Sequence, residues 1–194
     1  MMSAVELHGQ ATRQFGDVIA SVRDDQWGLP TPCDEWDVKA LVNHLVGEAL
    51  WTPPLLGGQH IADVGTRLDG DLVGANPIGA WNAAYAAAIQ AADGDGVAVR
   101  IVHLSFGDTP AAEYLRQLAA DYLVHAWDLA VAVGADATLD PAVVDTVAGW
   151  FEGVESGYRA AGLIARQVAP ANGDDPQNRL LAAFGRDVER WVKG

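Results

Sequence analysis

Two distant segments of the sequence carry the residue types from which proteins build a divalent-metal site. His44 lies in a helical stretch that follows Thr31–Val38, and Asp121 and His125 lie together in a second helical stretch. Four residues apart on a helix, Asp121 and His125 project from the same side, with Cβ atoms about 5–6 Å apart. One histidine and one Asp-x-x-x-His pair supply three ligands and leave positions open, as a catalytic metal requires.

The residues alone also support a simpler interpretation. His44 and His125 each lie at the edge of an apolar helix stripe, where a histidine is more often a hydrogen-bonded structural residue than a ligand. An Asp-x-x-x-His spacing also occurs by chance in many proteins. Both interpretations therefore stay open at this point, and they depend on whether the three side chains meet.

The helices that must position these residues are indicated by apolar residues at 3.6-residue spacing. Asp37 is a suitable N-cap for the helix that carries His44, and prolines and glycines mark most of the other helix ends. The predicted helices cover 5–23; Asp37 to a point before Pro53-Pro54; Pro77 to about Ala92; a long helix after Pro110 that ends at Gly134; Pro141 through Val154; and a short helix with Leu180 to Trp191.

The segments between the helices are less regular. Residues 59–76 are rich in Gly and Asp and are typical of a long loop with room for a short helical turn. Val97–Leu104 is β-branched and favours an extended conformation. Four long amphipathic helices with additions predict an all-α four-helix bundle with extra C-terminal helices and at most a short extended segment.

Composition limits the class of protein and its partners. A chain of 194 residues with 50% hydrophobic residues suits one globular domain over 1–194. Its formal net charge is -14, from 12 Lys and Arg against 26 Asp and Glu. An acidic surface repels phosphate backbones and anionic lipid head groups, so we expect neither nucleic acid nor a membrane as partner.

Three features of the sequence lead us to expect a cytoplasmic protein. The amino-terminal residues Met1–Glu6 lack the basic region and apolar stretch of a secretion signal. No apolar run is long enough to span a bilayer. Cys33 is the single cysteine, so no internal disulfide is expected.

Three motifs, taken together, resemble a known family. They are Thr31-Pro32-Cys33-x-x-Trp36-x-Val38 with Leu41-Val42-x-His44-Leu45; Val124-His125-x-Trp127-Asp128-Leu129-Ala130; and Asp175-Pro176-x-x-Arg179-Leu180-Leu181-Ala182-x-Phe184-Gly185-Arg186-Asp187. In this order, over nearly the whole chain, they resemble the DinB-like, mycothiol-dependent maleylpyruvate isomerase N-terminal family.

This resemblance implies a DinB-type four-helix bundle with one divalent metal, often zinc, held by His44, Asp121 and His125. Nickel, iron and manganese accept the same ligand types. Characterised relatives use the metal to bind a low-molecular-weight thiol as thiolate for isomerisation, conjugation or transfer. The implied partners are thus a mycothiol-like thiol and a small-molecule electrophile, in a monomer or a homodimer.

The sequence departs from the family pattern in two ways. Position 121 is Asp, where the family more often has Glu or His, so the carboxylate is one methylene shorter. The family's full isomerase also carries a further C-terminal domain that helps to form its active site, and this sequence stops soon after Gly185-Arg186-Asp187. That difference weakens the expectation of maleylpyruvate isomerisation itself but leaves that of metal binding intact.

Two residues near these motifs have alternative roles. Asp128 suits a hydrogen bond to a ligating histidine, but we expect a local contact, because it is predicted to lie too far around the helix from His125. Cys33 suits a nucleophile at a helix N-terminus, but we expect a small buried residue, because no catalytic base can be assigned to it. The remaining histidines, His8, His60 and His103, are expected to be structural or exposed, with His103 at most in a pocket wall.

Three functions follow as hypotheses. The first is a metal- and thiol-dependent S-transferase or isomerase that acts on a small electrophile, with its general acid or base unassigned. The second is a metal-dependent hydrolase in which the same ligands activate water. The third is a non-catalytic DinB-like binding or stress module in which the metal is structural or lost.

Overall fold

Helices contain most of the residues that the computed structural model describes, which are 2–162 and 164–191. A short antiparallel hairpin of β1 (Ile101–Leu104) and β2 (Gly107–Pro110) lies in the connection before the longest helix. The helices are α1 (Ala4–Ile19), α2 (Val38–Leu56), α3 (Ile61–Val64), α4 (Pro77–Ala92), α5 (Ala111–Val133), α6 (Pro141–Ala160), α7 (Pro176–Ala183) and α8 (Val188–Trp191).

Four of these helices form a bundle. Helix α1 packs against α5 and α4, and α2 packs against α4 and α5, so the four helices enclose one apolar core. Helix α6 lies outside the bundle against α5 and α1, and α7 packs on α6. This arrangement confirms the predicted all-α DinB-like four-helix bundle with added C-terminal helices and a short extended segment.

The centre of the bundle is filled by aliphatic and aromatic side chains. Phe15 of α1 meets Trp81 of α4 edge to face, with ring centroids 4.7 Å apart. Tyr122 of α5 contacts Trp81 in the same way, at 5.8 Å. Burial of a large apolar side chain contributes about 1.5–3 kcal/mol, so these contacts hold α1, α4 and α5 together around the core.

Local capping explains where the two helices of the site begin and end. The Asp37 carboxylate accepts a hydrogen bond from the backbone N–H of Ala40 at 2.8 Å, which confirms it as the N-cap of α2. Gly134 ends α5 with a φ of 70°, a left-handed conformation that glycine adopts without strain.

The C-terminal end of α2 differs from the prediction. The helix continues through Pro53 and Pro54 to Leu56 instead of ending before them. Each proline removes one helical N–H, but the carbonyls of both still accept hydrogen bonds, from the N–H groups of Gly57 at 2.9 Å and Gln59 at 3.0 Å. Burial of the last turn of the helix against the core stabilises the extra residues.

Two other predictions are corrected in detail. The short helix expected from Leu180 to Trp191 is two helices, α7 and α8, separated by a turn in which Gly185 has a φ of 82°. The stretch Val97–Leu104 is only partly extended, because Val97–Val99 forms a 3-10 turn before β1 begins at Ile101. None of the described helices combines the length and apolar composition that a membrane crossing requires.

Candidate metal centre

The packing of α2 on α5 brings together the three predicted ligands. Nε2 of His44 lies 3.1 Å from Oδ2 of Asp121. Nε2 of His125 lies 3.4 Å from Oδ1 of the same carboxylate. Two imidazoles from different helices therefore face the two oxygens of one carboxylate, even though Asp121 has a shorter side chain than Glu.

The donor atoms of this group are close enough to share one ion. One ligand atom from each of His44, Asp121 and His125 lies within 4.8 Å of the other two. His125 is buried, whereas His44 and Asp121 are partly exposed, so the group is open on one side. Two imidazole nitrogens and a carboxylate with an open side form a donor set that suits a catalytic divalent cation.

Asp128 contacts His125 directly, contrary to the expectation of a purely local role. Oδ2 of Asp128 lies 2.8 Å from Nδ1 of His125, since residues three apart on a helix are neighbours. This contact turns Nε2 of His125 toward Asp121. A carboxylate on the far nitrogen is the usual support of a ligating histidine, because it fixes the ring orientation and tautomer.

Arg186 completes this arrangement from the opposite end of the chain. Its Nε lies 3.1 Å and 3.2 Å from the two oxygens of Asp128, and its Nη2 lies 2.6 Å from Oδ2. Gly185 permits this approach, because a Cβ there would lie 2.7 Å from the Cβ of Ala165. The fully buried Asp128 is thereby paired with a guanidinium.

The charges of the group act on each other strongly. Burial by itself would lower the pKa of His125, but the Asp121 carboxylate and hydrogen bonds to Asp121 and Asp128 raise it well above its ordinary value. Burial would raise the pKa of Asp121, but His125 and His44 lower it instead. In the metal-free centre, His125 is therefore favoured in its protonated form between the carboxylates of Asp121 and Asp128. This imidazolium supplies the positive charge that a bound metal ion would otherwise supply.

Cys33 belongs to the same cluster. The sequence predicts only a small buried residue at this position, without contacts to the candidate ligands. It is half-buried, and its Sγ lies 3.8 Å from Nδ1 of His125 and 3.5 Å from Oδ2 of Asp128. These three residues form a second group with metal-ligand spacing. Nη2 of Arg186 lies 3.3 Å from this sulfur, so a guanidinium already supplies the positive charge there.

A further carboxyl group faces the centre. Glu48 lies one helical turn after His44 on α2 and lines the same cavity. Burial, followed by the nearby Asp121 carboxylate, raises the pKa of Glu48 to about 7. The spacing of four residues from His44 is the sequence signal that could have identified this group.

The remaining histidines lie away from the centre, as expected. Nδ1 of His103 lies 2.7 Å from Oδ1 of Asp108 across the hairpin, and its ring stacks on His60 at 4.0 Å. His8 is fully buried in α1, with its ring 5.8 Å from that of Tyr122.

Trp36 stacks at a tilt on His44, with centroids 4.7 Å apart, and forms one wall of the open side of the metal centre.

Known proteins are similar to this chain over most of its length. Two uncharacterised proteins of Mycobacterium tuberculosis, from strains CDC 1551 and H37Rv, are each 33% identical to the chain, over 96% of it and 100% of their own length. No solved structure is significantly similar to the chain. The sequence profile of the mycothiol maleylpyruvate isomerase N-terminal domain matches residues 8–130, which include all three candidate ligands. The chain therefore belongs to the mycothiol maleylpyruvate isomerase N-terminal domain family.

Proposed function

We propose that this protein holds one divalent metal ion at His44, Asp121 and His125 and uses it to bind a low-molecular-weight thiol, such as mycothiol, for reaction with a small electrophile. The reaction would be an S-transfer or an isomerisation. The observation that carries this proposal is the convergence of two Nε2 atoms on the two oxygens of Asp121, at 3.1 Å and 3.4 Å.

The donor set fits zinc, which takes imidazole nitrogen and carboxylate oxygen with an open position for a further ligand. Nickel, iron and manganese accept the same donors. Such an ion, when bound, lowers the pKa of a coordinated thiol or water enough to generate a nucleophile near neutral pH. The thiol is favoured over water because the family takes its name from a mycothiol-dependent isomerase.

The chain's own residues would position and assist the reactants. Asp128, fixed by Arg186, holds the ring of His125 so that Nε2 faces the centre. Glu48 lines the same cavity, so its carboxylate is placed to accept the proton that the thiol loses. Trp36 covers one face of His44 and so limits the directions in which its ring can turn.

The test is the metal content of the purified, untagged protein, measured by elemental mass spectrometry. We expect about one equivalent of metal in the parent and none in a His44→Ala/His125→Ala variant. A His60→Ala/His103→Ala variant is the matched control, because it also removes two neighbouring histidines but leaves the centre intact. Circular dichroism verifies that each variant is folded.

Thiol binding is then measured by calorimetry with mycothiol and with its S-methyl derivative. We expect the metal-loaded parent to bind the free thiol and to reject the S-methyl derivative, which cannot form a thiolate. If the metal-loaded protein does not bind mycothiol, the thiol proposal is contradicted and a hydrolase that activates water is favoured. If the parent protein contains no metal even after reconstitution, the metal site is overturned. The hypothesis of a non-catalytic binding module then remains.

A further inference from the structure

The candidate metal centre opens into a cavity of about 680 Å³. This volume lies within the range of about 300–1,000 Å³ that is common for small-molecule sites. One side of the cavity carries the metal centre with Cys33 and Glu48. Aromatic residues from four separate parts of the chain line much of the remainder: Trp36, Phe106, Trp150, Phe151, Tyr158 and Phe184.

Three of these aromatic rings are held in place by their neighbours. The indole N–H of Trp150 donates to the Glu113 carboxylate, at 3.1 Å and 3.0 Å from its two oxygens. The rings of Phe151 and Phe184 lie 4.3 Å apart. Phe106 is 61% exposed at the tip of the hairpin, so its ring is available at the cavity mouth. The cavity thus offers packed planar apolar surfaces in its wall and one exposed ring at its mouth.

The charges of the cavity are predominantly acidic. Among its described lining residues the one Arg or Lys is Arg186, whose Nε and Nη2 donate to Asp128 and whose Nη1 donates to the carbonyl of Phe184. The lining also includes Asp34, Glu35, Glu48 and Asp121, so acidic groups outnumber basic ones even with a protonated His125 in the metal-free centre.

We propose that this cavity binds the body of an uncharged, planar aromatic or conjugated molecule and rejects carboxylates. A carboxylate would share the cavity with the carboxylates of Glu35 and Asp121, whereas the guanidinium of Arg186 is already engaged. Recognition of carboxylates normally uses a free guanidinium in a bidentate contact. An uncharged ring instead gains apolar burial and stacking on the aromatic wall.

The identification of this molecule as the electrophile rests on the proposed function, but the binding preference does not require it. The inference separates this chain from an enzyme for maleylpyruvate, which is a dicarboxylate. The substrate class would be neutral conjugated electrophiles, such as unsaturated amides, esters or ketones attached to a ring.

The test compares cinnamamide with cinnamate, which have nearly the same shape and differ in charge. Calorimetric titrations are done on the full chain, both stripped of metal by a chelator and loaded with zinc. We expect cinnamamide to bind at least tenfold more tightly than cinnamate in the stripped form, where no cation offsets the acidic lining, and the zinc-loaded form tests whether this preference persists beside the metal. Because the stripped protein is included, this result is independent of whether the metal site is correct.

Two hairpin variants test the location of the bound ring. We expect Phe106→Ala to weaken cinnamamide binding severalfold, because it removes an aromatic surface at the mouth. Ile101→Ala is the matched control, since Ile101 is also an exposed apolar residue of the hairpin but does not line the cavity. Equal losses in both variants, or none in Phe106→Ala, would overturn the assigned location.

The remaining outcomes also decide the proposal. Cinnamate binding as tight as that of cinnamamide in the stripped protein would overturn the charge argument. Tight cinnamate binding in the zinc-loaded protein alone would show that the metal attracts carboxylates, which overturns the selectivity but supports the metal site. Binding of neither compound in either form would overturn the cavity as an aromatic site, while the metal measurement would still stand.

Discussion

Asp128 lies 2.8 Å from Nδ1 of His125, on the side of the imidazole away from Asp121. The carboxylate is fully buried, so this contact is shielded from solvent and fixes the ring firmly. His125 is thereby held between two carboxylates, with one nitrogen for support and the other directed at the candidate metal position.

We expect Asp128→Asn to weaken metal binding by roughly 10- to 100-fold, the usual effect of losing the carboxylate behind a ligating histidine. The substitution keeps the shape of the side chain but removes the charge that orients and polarises the imidazole. Competition with a chelating dye measures the affinity. Asp145→Asn, an exposed substitution on α6, is the control and should leave the affinity unchanged.

Arg186→Gln should destabilise the protein by about 3–5 kcal/mol, because it removes the guanidinium partner of a fully buried carboxylate. Arg190→Gln breaks an exposed ion pair with Asp34 at 3.6 Å and should cost less than about 1 kcal/mol. Urea unfolding of the two variants gives both free energies.

A double variant sharpens the test of Arg186. If the loss arises from the unpaired charge, Asp128→Asn in the Arg186→Gln background should recover part of the stability. Strictly additive losses would contradict this explanation and would indicate that Arg186 acts through packing alone.

The fold was largely predictable because helix periodicity and caps are local signals. Asp37, Pro77 and Gly134 mark helix ends in the sequence, and the structure has them at these ends. Pro53 and Pro54 misled the prediction, since the local rule for proline does not include the tertiary burial of Leu55 and Leu56, which are 3% and 2% exposed. Tertiary packing there outweighs two missing hydrogen-bond donors.

The site was predictable only in part. The family motifs and the four-residue spacing pointed to His44, Asp121 and His125, which the structure brings together. The contact of Asp128 with His125 follows from a spacing of three, so the expectation that Asp128 lies too far around the helix is wrong. The contact of Arg186 with Cys33 joins residues 153 positions apart, and no periodic pattern encodes such a pairing.

Cys33→Ser should leave the metal stoichiometry at about one per chain if the ion binds at His44, Asp121 and His125. The second group of candidate ligands, which contains Cys33, already has the guanidinium of Arg186 beside its sulfur at 3.3 Å. A second cation would therefore meet repulsion there.

Elemental mass spectrometry of the Cys33→Ser variant gives the stoichiometry, and cobalt substitution of the parent gives an independent readout. We expect no cobalt–thiolate charge-transfer absorption in the near-ultraviolet. Loss of the metal in Cys33→Ser, together with such an absorption band in the parent, would place the ion at the cysteine instead.

His8 should make the stability of the metal-free protein depend on pH. Burial lowers the pKa of this histidine from its ordinary value of 6.5 to about 4. Between these values the unfolded chain binds a proton that the folded chain does not, so stability falls as the pH decreases through this window. The loss attributable to His8 should reach about 2–3 kcal/mol between about pH 7.5 and about pH 4.5.

The measurement is the free energy of urea unfolding at both pH values, in the presence of a chelator so that release of metal does not contribute. His8→Leu keeps an apolar side chain in the buried position but binds no proton. The stability that this variant loses on acidification should therefore be about 2–3 kcal/mol smaller than the loss in the parent. His60→Leu removes an exposed histidine and should behave like the parent. Parallel pH profiles of the parent and His8→Leu would mean that the pKa of His8 is the same in the folded and unfolded chains, which would contradict the effect of burial.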